Sequence, residues 1–104
     1  MSKTYYELFI SAETQKQADT ILNSLLGKKV VTGGQFLASP ARFLWKGDVQ
    51  DMQYITITSF TTSDHKQAVI DIVEQVSAEE VPMIRFIAIE ANDKLYKWID
   101  ETLA

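Results

Sequence analysis

QFLASPARFLWKGDVQDMQYITITSFT, residues 35–61, reads as two long strands folded back on each other through Lys46-Gly47-Asp48. The first arm, Gln35 to Trp45, is rich in apolar and aromatic residues, and the glycine-containing tripeptide after it has turn chemistry. The second arm runs from Val49 to Thr61. Its alternation puts Ile55 and Ile57 on one face and Tyr54, Thr56, Thr58 and Phe60 on the other. Pro40 has no N–H to give to a ladder, so a bulge or an edge position is expected near Ser39-Pro40-Ala41. Both arms are about twice the mean strand length of roughly 5–6 residues. A hairpin that long should project beyond a domain of 104 residues.

Upstream, Thr4 to Ser11 reads as a strand, with Tyr6, Leu8 and Ile10 on one face and Tyr5, Glu7 and Phe9 on the other. The period then changes. Ala18, Ile21, Leu22, Leu25 and Leu26 recur at helical spacing, with Ser11 or Thr14 as cap and Gly27-Lys28-Lys29 at the C-terminal end. Downstream, Ser63 to Ser77 is predicted as a second helix with Val69, Ile72, Val73 and Val76 on its inner stripe and Thr62 or Ser63 as cap. Pro82 stops anything helical before a last strand, Met83 to Glu90. Asn92 then caps a short helix with Leu95, Trp98 and Ile99 facing inward.

The order is an α+β, ferredoxin-like βαββαβ pattern followed by a C-terminal helix, in a single domain spanning 1–104. Two helices cover one face of such a sheet. The other face would carry Tyr5, Phe9, Tyr54, Thr56, Phe60, Ile87 and Ile89, with Glu7 and Arg85 among them. An apolar face that broad calls for a cover, and another subunit is the natural one, with a three-fold ring as one way to close the contact.

Phe43-Leu44-Trp45-Lys46-Gly47-Asp48-Val49 resembles the aromatic-x-Trp-x-Gly-x-hydrophobic segment of the CutA family of divalent-cation tolerance proteins. Thr61-Thr62 sits where that family has a paired threonine. Glu80-Val81-Pro82-Met83-Ile84 looks like its lead-in to the last strand, and Tyr96-Lys97-Trp98-Ile99-Asp100-Glu101 is similar to its terminal helix. The resemblance implies a homotrimer with the architecture of the PII signalling proteins, linked to tolerance of copper, zinc and other divalent cations. The long hairpin would pair with a neighbouring subunit. The chain also departs from the family. Where many members have a cysteine after the first helix it has Val30-Val31-Thr32-Gly33-Gly34, and where they have His-Pro-Tyr it has Ser77-Ala78-Glu79. Phe60 stands where a lysine often precedes the paired threonine, and the soft copper ligands are gone.

Composition narrows the function classes. Hydrophobic residues make up 46% of the chain and charged ones 23%, as in ordinary globular proteins. The net charge of −4, with only one adjacent basic pair (Lys28-Lys29), argues against nucleic acid as a partner. No apolar run has the length of a membrane span, and Met1-Ser2-Lys3-Thr4 runs straight into a strand, so no membrane role and a cytoplasmic location are expected. The absence of cysteine suits a reducing compartment.

His65, the only histidine, reads as a solvated residue in the first turn of a surface helix, and Met52 and Met83 read as core fillers. Glu79-Glu80 and Asp100-Glu101 read as solvated acidic surface, Thr32-Gly33-Gly34 as a turn into a strand, and Trp98 as core. Trp45 is expected to pack against another subunit first and to line a pocket second. No nucleophile–base set, P-loop or dinucleotide fingerprint is legible, so no enzyme is expected. The leading expectation is a non-catalytic metal-response trimer with a metal or small-molecule ligand. The alternative is a PII-like module that binds a small anionic metabolite in clefts between subunits, lined by Arg42, Trp45, Lys46 and Glu80.

Overall fold

A computed structural model describes residues 3–103; Met1 and Ser2, read as leading into the first strand, and Ala104 lie outside the described residues. The elements are β1 (Tyr5–Ala12), α1 (Gln15–Gly27), β2 (Gln35–Trp45), β3 (Asp48–Thr62), α2 (Lys66–Val76), β4 (Ile84–Ala88) and α3 (Asp93–Thr102). The four strands form one antiparallel sheet in the order β2-β3-β1-β4, which is the ferredoxin-like arrangement expected from the element order.

Register assigns every side chain to a face, because residues directly opposite each other in an antiparallel pair point the same way. Leu8 and Ile10 lie in register with Ser59 and Ile57 on one side and Phe86 and Ile84 on the other. This is the face that the helices cover. Ala18, Ile21, Leu22 and Leu25 of α1 and Val69 and Val73 of α2 close over Leu8, Ile10, Ala12 and Ile57 in one core, with Val30 and Val31 sealing its end. Gly34 is needed at that edge because a Cβ there would come within 2.8 Å of a Leu22 methyl.

Capping differs in part from expectation. Thr14, not Ser11, caps α1 by accepting from the Gln17 N–H. The residue with left-handed backbone after α1 is Lys29 (φ 55°), not Gly27. α2 begins at Lys66 rather than near Ser63, because the segment before it is spent on other bonds. The Ser63 hydroxyl accepts from the Thr4 N–H, and the Thr62 carbonyl accepts from the His65 N–H, closing a turn. His65 occupies the N-cap, half-buried and without a side-chain cap bond. The Thr61 hydroxyl, fully buried, donates to the Val30 carbonyl at 2.7 Å and ties β3 to the segment after α1.

β4 is shorter than predicted. The Ile89 N–H still donates to the Tyr5 carbonyl, but β1 begins there and offers no further partner. The chain turns away, and the Ala91 N–H donates to the Tyr96 hydroxyl of α3. α3 lies against the open face: Tyr96 stacks on Tyr5 at 4.4 Å between centroids, and the Tyr5 hydroxyl and the Lys3 ammonium both donate to Asp100. Ile99 is fully buried. Trp98, expected in the core from its spacing, is 46% exposed because it faces the rim of the open sheet beside Glu7 and Phe60. Leu26 is likewise exposed at the edge of the α1 stripe. Among the described residues no helix is long and apolar enough to cross a membrane.

The hairpin is the feature that fixes the shape. β3 pairs with β1 only over residues 55–62, whereas it pairs with β2 down to Asp48. Its outer part, residues 48–54 against 39–45, is therefore a two-stranded ribbon that extends the molecule to 44 Å against 25 and 23 Å in the other directions. Pro40 sits in β2 with its register unbroken, so the edge position is realised and no bulge forms. Lys46 (φ 49°) and Gly47 (φ 88°) close the ribbon in the paired positive-φ geometry of a tight two-residue hairpin turn.

Candidate functional site

The ribbon does not stand free on both sides. Its odd β2 positions, Phe43 and Trp45, share a face with the even β3 positions Gln50, Met52 and Tyr54. Facing them is the segment that links α2 to β4, and between the two lies a cleft of about 340 Å³. Phe43, Trp45, Tyr54 and Met52 form one wall; Glu79, Glu80, Val81 and Met83 form the other. Phe43 and Tyr54 meet edge to face at 5.3 Å between centroids.

Glu79 holds the cleft together. Its carboxylate accepts from the Ser11 hydroxyl at 2.7 Å and from the Tyr54 phenol. Ser11 in turn accepts from the Met83 N–H at 2.9 Å, while the Ser11 N–H donates to the Met83 carbonyl at 3.0 Å. The Glu79 N–H donates to the Ser77 hydroxyl. One carboxylate thus fastens β1, β3 and the α2–β4 segment at a single point, half-buried, where hydrogen bonds are worth more than in open water. Burial, followed by the bond to Glu79, raises the Tyr54 phenol well above its ordinary value.

At the mouth, the Lys46 ammonium lies 5.3 Å from the centre of the Trp45 ring and 3.1 Å from a Glu80 carboxylate oxygen. Trp45 is 41% exposed. Glu13, at the end of β1, adds a third carboxylate to the lining. The cleft therefore combines an aromatic and thioether wall with three carboxylates and one ammonium.

Three of the four residues expected at a ligand cleft meet here: Trp45, Lys46 and Glu80. Arg42 does not join them. Its position is even in β2, so it faces away from Phe43 and Trp45, and its guanidinium pairs with Asp51 at 2.6 Å in open solvent. Strand parity alone separates Arg42 from Trp45, and that signal is present in the sequence. Glu79 was expected on a solvated acidic surface and is instead a half-buried acceptor; Glu80 keeps the exposed position. Met52 and Met83 line the cleft, half-buried, rather than filling the core. Ser11, Tyr54 and Glu79 lie far apart along the chain, so no spacing marks them as a set.

The strand order and the terminal helix define a ferredoxin-like protein with an elongated hairpin. The chain belongs to the CutA1 divalent ion tolerance protein family, whose model matches residues 7–102. Its structure is similar to that of divalent ion tolerance protein CutA1 from Ehrlichia chaffeensis, with TM-score 0.91 and 23% identity over 100% of this chain and 99% of that one. The periplasmic divalent cation tolerance protein CutA from Archaeoglobus fulgidus is 26% identical over 94% of this chain and 97% of its own, with TM-score 0.89. The divalent cation tolerance protein from Thermus thermophilus is 20% identical over 96% of this chain and 99% of its own, with TM-score 0.90. No curated protein matches the chain.

A resident copper or zinc ion needs several nitrogen or sulfur ligands, and a hard cation at least about six oxygens. The chain has one histidine and no cysteine. Among the described residues no group of three or more His, Cys, Asp or Glu is placed to hold one ion. Glu79 is already engaged by Ser11 and Tyr54, and Glu80 by Lys46. The described residues of this chain therefore do not fit a tightly held divalent cation.

Proposed function

We propose that the protein acts in divalent-cation tolerance as a non-catalytic homotrimer in the cytoplasm. The observation that carries this reading is the outer ribbon of the hairpin. An isolated two-stranded ribbon is marginal in water. Here it also exposes Leu44, Trp45 and Val49 at its tip, with Leu37 and Phe36 further down the same edge strand. A neighbouring subunit laid along β2 would cover these side chains and pair the open edge of the sheet. Membership in a divalent ion tolerance family supports the cation role. Since the described residues of one subunit lack a fitting ligand set, a cation site would need ligands from more than one copy. The cysteine-free sequence supports a reducing compartment, although the A. fulgidus relative is described as periplasmic.

The alternative, a PII-like module for a small anionic metabolite, is the weaker reading. Three carboxylates line the cleft, with one ammonium, Lys46, paired to Glu80 beside it, and that balance repels an anion.

Light scattering on the purified protein, followed by calorimetric titration of the metal-stripped form with Cu²⁺ and Zn²⁺, tests the proposal. Three subunit masses and saturable binding at a fixed ratio per trimer are expected. A mass of one subunit at micromolar concentration overturns the trimer, and the absence of any saturable cation binding overturns direct cation sensing.

A further inference from the structure

The sheet face that the helices leave open carries two charged side chains within its four-stranded part. Register places Glu7 on that face between Phe60 and Ile87, and Arg85 beside Phe9. The other strand positions of that face, Leu37 and Thr56 among them, are uncharged. We propose that Glu7 of one copy pairs with Arg85 of the next when these faces close, and that this crossed pair selects like subunits. The pairing rests on the trimeric reading above and adds the contact that decides which chains enter the ring.

Neither charge is satisfied inside its own subunit. The two residues sit two positions out of register on neighbouring strands, a diagonal at which long side chains can meet. Among the described residues, however, no ion pair involves either of them. Arg85 is exposed and lays its guanidinium over the Phe9 ring, 5.3 Å from the centre. Glu7 is half-buried beside Phe60 and Trp98.

A cover seated on this face desolvates both charges, and a buried charge without a partner is strongly unfavourable. A purely apolar partner leaves both uncompensated, and a partner of one sign compensates only one of them. A second copy of this chain brings one acid and one base in the same setting. In a closed ring each copy offers Glu7 to one neighbour and Arg85 to the other, so no charge is left over. The apolar surroundings, with Ile87 54% and Trp98 46% exposed in a lone subunit, supply the tightness. The crossed pair supplies the choice of partner, since like charges brought together penalise a wrong one.

Glu7→Arg, Arg85→Glu and the double swap test this against the parent, by mass over a dilution series. Each single variant brings like charges together and should raise the dissociation constant of the assembly by about tenfold or more. Mixing the two single variants should recover part of the assembly. Opposite charges then meet between unlike chains, while each chain by itself still holds two of the same sign. The double swap should assemble with itself as the parent does and should form no mixed rings with the parent, as read by native mass spectrometry. If circular dichroism shows that a swap fails to fold, Glu7→Gln and Arg85→Gln carry the test, and the loss in their double variant should fall short of the sum of the single losses. A parent of one subunit's mass overturns the trimeric reading itself. Where the parent assembles, the pair alone is overturned by single swaps that assemble equally well, by no gain on mixing, by free mixing of the double swap with the parent, or by additive losses in the glutamine variants.

Discussion

The phenol of Tyr54 donates to the carboxylate of Glu79, and this bond fastens the outer half of β3 to the segment that leads into β4. Besides this bond, the Lys46–Glu80 pair joins the tip of the ribbon to the same segment. The Glu79 carboxylate also accepts from Ser11, so the hairpin, the central strand and the α2–β4 segment are positioned as one unit. One carboxylate therefore links the outer half of the hairpin to β1 and to the α2–β4 segment.

Glu79→Ala should destabilise the fold by about 1–3 kcal/mol, since two part-buried hydroxyls lose their acceptor. Glu79→Gln keeps an acceptor oxygen and should cost less. Urea unfolding of the three proteins side by side gives the ranking, and equal stability of Glu79→Ala and the parent would remove Glu79 from this role.

The Tyr54 phenol is raised, first by burial and then by its bond to Glu79. A raised phenol contributes stability in full below the ordinary tyrosine value and loses it as pH rises through that value towards the folded one. Stability should therefore fall above about pH 10. In Tyr54→Phe that alkaline loss should be shallower, as read from melting temperatures across the alkaline range. An unchanged slope would show that other tyrosines carry it.

Asp100 is held below its ordinary value, first by the bond from Lys3 and then by the bond from Tyr5. A depressed carboxylate contributes stability above its unfolded value and loses it as pH falls through the folded one. Acid should therefore loosen α3 from β1, and Asp100→Asn should remove that part of the acid dependence. The group is exposed, so added salt should shrink the difference between the two proteins. Near-ultraviolet circular dichroism of the stacked Tyr5–Tyr96 pair offers a local readout.

Trp45→Ala should raise the dissociation constant of the assembly by about tenfold or more while changing subunit stability by less than about 1 kcal/mol. Mass measured over a dilution series, compared with unfolding at fixed concentration, separates the two effects. An unchanged dissociation profile would confine Trp45 to the cleft.

Gly47→Ala should cost about 1 kcal/mol, because a Cβ at φ 88° is strained even though the space around it is open. Loss of the turn would also free Trp45 and Lys46, so weaker assembly should accompany weaker folding.

Most of the fold was legible because its determinants are local. Alternation in Tyr54–Phe60 and helical spacing from Ala18 to Leu25 and from Val69 to Val76 identify strands and helices without reference to anything distant. Pro40 announced a bulge or an edge position, of which the edge is realised, and the lengths of the two arms announced a projecting hairpin. Boundaries were less legible at α2 and β4, where Ser63 bonds with Thr4 instead of capping the helix and the Ala91 N–H after Glu90 goes to the Tyr96 hydroxyl. The cleft was legible in part. Trp45, Lys46 and Glu80 carry recognisable chemistry, and strand parity would have set Arg42 apart.

What the sequence by itself determined was the order of the elements, the face each strand residue takes and the family, since periodicity and ordered motifs are properties of the chain read in line. What only the tertiary structure decided was the partnership of Ser11, Tyr54 and Glu79, which lie on three segments and meet nowhere in the sequence. Glu79 sits in an irregular segment where no period predicts direction. Whether its carboxylate is solvated or shared depends on how the ribbon bends back over it, and that is settled by packing across the molecule.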